Sequence, residues 1–136
     1  MSSPLRGLPR HNAYLRWLKI GLVAGAIYDF VFAALMLLAP ELPERLLGLR
    51  PPGDAYFLWL NAVFLTMLGC FYLYAAYDPL TYRGNVVVAI VGRFAGFVAM
   101  AWAAYSDPSL KGLYPLAFGD LFFSVAHGVC WWPLRR

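Results

Sequence analysis

Among the polar side chains inside the long apolar stretches of this 136-residue chain, six could do chemistry. They are Asp29, Asn61, Arg93, Asp120, Ser124 and His127. Ionisable groups at membrane depth are costly, so they usually face the interior of a helix bundle, find partners there and mark a functional site. One arginine flanked by two aspartates would form a buried ion pair with one excess negative charge. A proton on a carboxyl group or on the imidazole, or a bound cation, would relieve that excess. The chemistry that these residues offer is therefore ion pairing, proton exchange or binding of a polar head group.

Helical spacing and depth predict that these groups meet. Asp120, Ser124 and His127 follow an i, i+4, i+7 pattern, which places them on one stripe of a helix. At 1.5 Å per residue, Asp29 and Asp120 both lie about 18 Å from the helix ends nearest the chain termini. Measured from the helix ends on the same side, the backbone of Arg93 lies at a depth of about 10 Å and that of His127 at roughly 7–8 Å. We therefore expect Asp29, Arg93 and Asp120 to form one cluster, with His127 below it.

Small residues predict where helices approach each other closely. The pattern Gly-x-x-x-Gly occurs twice, at Gly21/Gly25 and at Gly92/Gly96. A longer stripe of small residues runs beside Arg93 and consists of Ala89, Gly92, Gly96, Ala99 and Ala103. Such residues let neighbouring backbones approach in a membrane bundle, and amide side chains there bond across helices. We expect the stripe to face a neighbouring helix, and Asn61 to form an interhelical hydrogen bond.

The elements that position these residues are predicted to be four apolar helices. The chain is 62% hydrophobic and 13% charged, whereas soluble domains are about 45–50% apolar and about 25% charged. A hydrocarbon core about 30 Å thick takes roughly 20 apolar residues to cross. Four segments qualify, at about 17–39, 55–77, 86–105 and 113–132, and each stops at or near a proline, which cannot continue a helix. The predicted fold class is all-α: a single transmembrane domain, 1–136, forming an antiparallel four-helix bundle, with a short loop over 40–54.

Charge predicts the orientation of the bundle. Most of the eleven lysines and arginines lie on the side with both termini: Arg6, Arg10, Arg16, Lys19, Arg83, Arg135 and Arg136. The opposite side has Arg45, Arg50 and Lys111, together with most of the acidic residues. By the positive-inside rule, both termini are expected in the cytoplasm. The net charge of +4 then reflects a basic rim facing anionic lipid head groups. The expected partner is therefore the lipid bilayer and not a nucleic acid.

The sequence carries no motif of soluble-type catalysis. It lacks a nucleotide-binding loop, a dinucleotide fingerprint, a nucleophile elbow and an HExxH pair. His127 is the only histidine within the apolar segments, so one chain cannot supply a bis-histidine haem site. Cys70 and Cys130 are expected at different depths, which argues against a disulfide. We predict a protein that is not an enzyme and has no cofactor and no metal.

Several short motifs are spread along nearly the whole chain. They are Gly25-Ala26-Ile27-Tyr28-Asp29, the stop at Pro40, Leu47-Gly48-Leu49-Arg50-Pro51-Pro52, Ala75-Ala76-Tyr77-Asp78-Pro79, Gly92-Arg93 and Gly119-Asp120-Leu121-Phe122-Phe123. With these motifs the chain resembles a group of small four-helix proteins of the bacterial inner membrane, loosely DoxX-like. The resemblance implies a location in the inner (cytoplasmic) membrane and an association with quinone-linked respiratory complexes. It implies no catalytic residue.

Two functions are compatible with these residues. The first is a non-enzymatic accessory or structural subunit, near a quinone-linked electron-transport system, in which the Asp/Arg/Asp cluster fixes the register of the helices or contacts a membrane-protein partner or a second copy. The alternative is proton-linked binding or transport of a small amphipathic molecule, such as a lipid, a quinone or a drug-like compound. The residues predicted to serve that alternative are Asp29, Asn61, Arg93, Asp120, Ser124 and His127.

Overall fold

The structure, a computed structural model, describes residues 9–50 and 53–135. Arg6, Pro51, Pro52 and Arg136, which entered the predictions above, lie outside the described residues. The described chain is helical, and its α-helices are α1 (Pro9–Leu38), α2 (Glu41–Leu47), α3 (Ala55–Tyr77), α4 (Arg83–Ser106) and α5 (Leu113–Trp131), with short 3-10 turns at Pro108–Leu110 and Trp132–Leu134. All of the α-helices except α2 are long and apolar enough to cross a membrane. The all-α prediction is confirmed, and the four candidate spans indicate a multi-pass membrane protein.

Helix α1 begins earlier than predicted, at Pro9 rather than near residue 17. Proline is common at the first helical position, because its missing N–H is not needed there. Its 30 residues make a helix about 45 Å long, which exceeds the hydrocarbon thickness of about 30 Å. The added turns carry the polar residues Arg10, His11 and Asn12. The helix therefore continues beyond the apolar segment, which is the only part that the hydropathy pattern could identify.

The predicted loop over 40–54 contains a short helix, α2, at Glu41–Leu47. Glu41 and Glu44 lie in its first turn, where negative charge is favoured by the helix dipole. Gly48 ends the helix in the left-handed conformation, with φ of 66°, and its N–H donates to the Glu44 carbonyl oxygen at 2.8 Å. Acidic residues in the first turn and a glycine directly after the last turn are a recognisable helix signal. The predicted loop over 40–54 is therefore wrong for Glu41–Leu47, which is helical.

The four long helices form two closely packed pairs, α1 with α3 and α4 with α5. The two pairs meet less closely, where α1 packs on α5 and α3 approaches α4. The first half of α1 lies beside the end of α3, since Lys19 Nζ donates to the Tyr77 carbonyl oxygen at 2.9 Å. Farther along α1, Phe30 packs at Gly69, which comes earlier in α3, so these two helices are antiparallel. The interface between the pairs is the less tightly packed part of the bundle, and the polar residues predicted to cluster lie along it.

The molecule has an apolar exterior and a partly polar interior. Large apolar side chains are exposed on every long helix, as shown by Val31, Phe64, Val91, Trp102 and Phe122. Among the described residues, the buried polar ones are Asp29, Arg93, Asp120, Ser124 and His127. A soluble protein has the opposite distribution, with charged residues outside and apolar residues within. This distribution suits a chain surrounded by lipid, where apolar side chains gain nothing from leaving the surface.

Candidate functional site

Arg93 reaches across the bundle from α4 to α1. Its Nη2 donates to Asp29 Oδ1 at 2.7 Å and to the Gly25 carbonyl oxygen at 3.1 Å. Its Nη1 donates to Asp120 Oδ1 on α5 at 2.6 Å. Because α1 and α4 have almost no backbone contact, the arginine side chain itself spans the distance between the two helix pairs. The predicted cluster of Asp29, Arg93 and Asp120 is present, and we call it the ion triad.

The ion triad is almost fully enclosed by protein. Asp29 is 0% exposed, Arg93 is 5% exposed and Asp120 is 9% exposed. Opposite charges attract strongly in such a low-dielectric setting, while removing any one partner leaves the others costly to bury. With all three groups ionised, the triad has a formal charge of −1.

Two glycines leave space for side chains of this site, Gly25 for the Tyr72 ring and Gly96 for Asp120. A Cβ added at Gly25 would lie 3.3 Å from the Tyr72 ring and 3.7 Å from Arg93 Nη2. A Cβ added at Gly96 would collide with Asp120 Oδ2. The predicted close approach at Gly25 and Gly96 is therefore made by the side chains of this site.

Three aromatic rings surround the Arg93 guanidinium. Its central carbon lies 5.1 Å from the ring centroid of Tyr28, 5.1 Å from that of Tyr72 and 5.2 Å from that of Phe123. Aromatic rings within about 6 Å attract a cation through their quadrupoles. The rings thus replace part of the hydration that the arginine loses inside the bundle.

Several polar atoms of the site have no partner among the described residues. Asp29 Oδ2, Arg93 Nε and both ring nitrogens of His127 are buried without a hydrogen bond. Asp29 and Arg93 each satisfy their other polar atoms in the ion triad, whereas the imidazole satisfies neither of its nitrogens. Buried polar groups are nearly always paired, so each such exception calls for an explanation.

His127 lies beside the ion triad and is separated from it by aromatic rings. The imidazole centroid is 6.4 Å from that of Tyr72 and 5.8 Å from that of Phe123. Both rings also flank the Arg93 guanidinium. The imidazole also packs directly against Gly21, where an added Cβ would lie 3.1 Å from His127 Nε2.

Ser124 belongs to the site and Asn61 does not. Ser124 Oγ donates to the Ile90 carbonyl oxygen at 2.9 Å, which joins α5 to α4 one turn from Asp120. Asn61 is exposed on α3 and has no side-chain hydrogen bond to another described residue. The expected interhelical bond is not formed with any described residue, because the neighbouring Ala62 faces the interior and the next residue on a helix points about 100° away.

The small-residue stripe of α4 is also only partly as predicted. Ala89 is buried and Gly96 contacts Asp120, but Gly92 and Ala99 are exposed, and a Cβ at Gly92 would meet nothing within 4 Å. At 3.6 residues per turn the five positions span only about 80° of the helix, and Gly92 and Ala99 form one edge of that stripe. That edge faces away from the other helices of this chain.

The aromatic part of the site was not identified from the sequence. Tyr28 precedes Asp29, and Phe123 lies midway between Asp120 and His127 on the same face, at i+3 from Asp120. That spacing could have indicated Phe123. Nothing in the sequence singles out Tyr72, because it comes from α3, which contributes no ionisable side chain to the cluster.

The site offers no cluster of metal ligands. The described residues contain no group of three or more His, Cys, Asp or Glu side chains placed to hold a metal ion. The arrangement can pair charges, exchange a proton at a carboxyl group or hydrogen-bond a polar head group. Comparison of the chain with protein-family models, with curated proteins and with solved structures finds no match.

Proposed function

We propose that this chain is a non-enzymatic, multi-pass protein of the bacterial inner membrane that serves as an accessory or structural subunit. The observation that supports the proposal best is the ion triad, in which one side chain on α4 bonds to both α1 and α5. A bond of this kind fixes how the α1/α3 pair sits against the α4/α5 pair. The resemblance to DoxX-like proteins makes a quinone-linked electron-transport system the proposed partner.

The proposal is tested by breaking the ion triad and then removing its charges. Arg93→Leu leaves two carboxylates buried without a cation, and breaking a buried pair in this way costs about 3–5 kcal/mol. We expect the variant to unfold at a markedly lower denaturant concentration in detergent micelles. The triple variant that also carries Asp29→Asn and Asp120→Asn has no stranded charge and should recover much of the loss.

A control for removing a cation is Arg45→Leu, because Arg45 is exposed and lies outside the ion triad. Its unfolding transition should stay close to that of the unmodified chain. If the triple variant is as unstable as Arg93→Leu, the ion triad does not act as a structural tie, and this proposal fails.

A second candidate function is binding of a small amphipathic molecule. It is favoured by Asp29 Oδ2, a buried oxygen of the ion triad that has no hydrogen-bond partner among the described residues, since a polar head group would supply one. Native mass spectrometry of the protein in a mild detergent should then show a retained small molecule. Asp120→Asn should lose that molecule, while Asp107→Asn, which alters an exposed aspartate, should keep it. A bare protein in several mild detergents would contradict this candidate.

A further inference from the structure

A shallow groove follows the contact between α1 and α3 on the exterior of the bundle. Its volume is about 500 Å³, and pockets that take small molecules occupy about 300–1,000 Å³. Its lining consists of Lys19, Ile20, Val23, Ala24 and Ile27 from α1 and Ala76 from α3. Ile20, Val23 and Ile27 are exposed, so the groove lies open to the surroundings of the protein and is mostly apolar.

Lys19 is the charged member of the lining. Its Nζ donates to the Tyr77 carbonyl oxygen at 2.9 Å, and since an ammonium group has three N–H donors, two remain free for a ligand. The salt bridges among the described residues are those of the ion triad, so no described carboxylate forms an ion pair with Lys19. The neighbouring Asp78 carboxylate accepts hydrogen bonds from Leu80 and Thr81 instead. The groove therefore contains a cation with free donors.

The order of residues along α1 fixes the direction of an occupant. Lys19, Val23 and Ile27 are spaced by four residues and lie on one stripe of the helix. About 12 Å separates Lys19 from Ile27 along the helix axis. Lys19 lies nearer the side of the bundle that has both chain ends, and a lysine near the end of a spanning helix extends its ammonium group to the head-group level. An acidic head on Lys19 with a hydrocarbon tail along Val23 and Ile27 has the orientation of a membrane lipid.

The charge of the groove selects among lipid head groups. Phosphatidylglycerol carries one negative charge, on its phosphodiester, which can accept both free N–H donors of Lys19. Choline and ethanolamine heads bring a second cation close to Lys19, and this reduces the net attraction. Cardiolipin brings two phosphates to a lining that offers one cation. A lipid with a single phosphodiester charge is the best match.

Lys19 is held in place before a lipid binds. Its hydrogen bond to the Tyr77 carbonyl oxygen joins the side chain to α3, and an ordered side chain loses less conformational entropy on binding. Arg83 resembles it in these respects, because it lies on the same side of the bundle and its Nε donates to the Leu80 carbonyl oxygen at 3.0 Å. Arg83 does not line the groove, and it therefore provides a matched control for the loss of one basic side chain.

We propose that the groove between α1 and α3 binds one molecule of phosphatidylglycerol, with the phosphate on Lys19 Nζ and an acyl chain along Val23 and Ile27. This inference rests on the proposed function only for the location of the chain in a membrane. It adds to that function a specific lipid site and the class of lipid bound there.

The test is native mass spectrometry of the full chain, delipidated in detergent micelles and titrated with phosphatidylglycerol, phosphatidylcholine or cardiolipin of matched acyl chains. We expect the first lipid to bind most tightly when it is phosphatidylglycerol. Lys19→Gln, which keeps an N–H for the Tyr77 carbonyl oxygen, should weaken that binding by about fivefold, as loss of one lysine at an anionic surface does. Lys19→Arg keeps the charge and should bind phosphatidylglycerol like the unmodified chain, and so should Arg83→Gln.

Ala24→Phe tests the apolar part of the groove. Ala24 is exposed, so a larger side chain there fills the groove without entering the core of the bundle. The variant should bind phosphatidylglycerol more weakly although Lys19 is intact. It also tests the inference independently if Lys19→Gln fails to fold.

Three results would overturn the inference. They are equal affinity for phosphatidylglycerol and phosphatidylcholine, tighter binding of cardiolipin as the first lipid, and the same loss of affinity in Arg83→Gln as in Lys19→Gln. The last result would assign the preference to the basic rim as a whole. The proposed function fails on a different observation, since a chain recovered in the soluble fraction is not a membrane protein, whereas a membrane-inserted chain without lipid preference rejects the groove alone.

Discussion

Gly96 and Gly92 belong to the same Gly-x-x-x-Gly pattern on α4 but have opposite surroundings. A Cβ at Gly96 would collide with Asp120 Oδ2, whereas a Cβ at Gly92 would meet nothing within 4 Å. The Asp120 side chain cannot simply turn away, since its other oxygen accepts the hydrogen bond from Arg93. An alanine at Gly92 therefore tests helix propensity alone, whereas an alanine at Gly96 tests in addition the packing against the ion triad.

We predict opposite signs for the two alanine substitutions. Gly92→Ala should raise the free energy of unfolding by up to about 1 kcal/mol, because alanine is the better helix former. Gly96→Ala should lower it by about 1–3 kcal/mol, because the added methyl group forces Asp120 to move, as in other overpacked interiors. Denaturant unfolding followed by circular dichroism in one detergent measures both. Stabilisation by both substitutions would show that Asp120 moves at little cost and is not held by Arg93.

At the residue scale, the sequence predicted the charged part of the site and not its surroundings. Asp29, Arg93 and Asp120 stand out because ionisable residues are rare in apolar segments. Asn61 was misplaced because a polar residue near the end of a span can face outward without a large cost. Tyr72 could not be found, because aromatic residues occur throughout this chain and only the tertiary structure distinguishes the one beside Arg93.

At the scale of helices, the ends of α3 and α4 depend on an aspartate followed by a proline. Asp78 accepts a hydrogen bond from the Thr81 hydroxyl at 2.7 Å and from the N–H groups of Leu80 and Thr81 at 3.1 and 3.2 Å. Asp107 accepts from the N–H of Ser109 at 2.9 Å. Aspartate side chains that bond to the backbone two or three residues on are typical of such turns. The two connections thus use the same local chemistry on opposite ends of the bundle.

The turn at Asp78 should make stability depend on pH. The Thr81 hydroxyl and the backbone N–H groups hold the pKa of Asp78 below its ordinary value of 3.8. Since the folded pKa is lowered, the contribution of this carboxylate to stability is complete well above pH 3.8 and is lost as the pH falls through the lowered value. Asp78→Ala should therefore reduce the unfolding temperature at pH 7, and the difference from the unmodified chain should shrink in acid.

Asp78→Asn is the control for the shape of the turn, because an amide oxygen accepts the same backbone hydrogen bonds without a charge. We expect it to unfold at a temperature between those of Asp78→Ala and the unmodified chain at pH 7. A difference between Asp78→Ala and the unmodified chain that persists unchanged at pH 2 would assign the effect to something other than the carboxylate.

The helices themselves were predictable to different degrees. The bounds of α3, 55–77, coincide with the predicted segment, because Asp54 and the Asp78-Pro79 step stop the helix on both sides. The bounds of α1 do not, because its first turns are polar and hydropathy reports only the apolar part. Helix α2 was missed because a seven-residue helix is too short for a periodic pattern, although Gly48 marks its end.

At the scale of the whole molecule, the arrangement in two helix pairs did not follow from the sequence. Neighbouring helices can be inferred from short connections, but which pairs pack tightly depends on residues such as Phe30 and Gly69. A Cβ at Gly69 would lie 2.6 Å from the Phe30 ring, so this contact between α3 and α1 exists only with glycine. The less closely packed interface between the pairs is where the ion triad lies.

The orientation of the molecule in the membrane is a prediction from the distribution of lysine and arginine. Two features argue for a bundle with both ends of the chain on the same side: four candidate spans, and a predominance of basic residues on the side of the termini. The positive-inside rule then makes that side cytoplasmic.

Green fluorescent protein fused after Arg136 or inserted after Thr81 should fluoresce. Alkaline phosphatase fused after Gly53 or Ser109 should be active, since it folds only outside the cytoplasm. Active alkaline phosphatase at the C-terminus would reverse the orientation, and active enzyme after only one of Gly53 and Ser109 would contradict four spans.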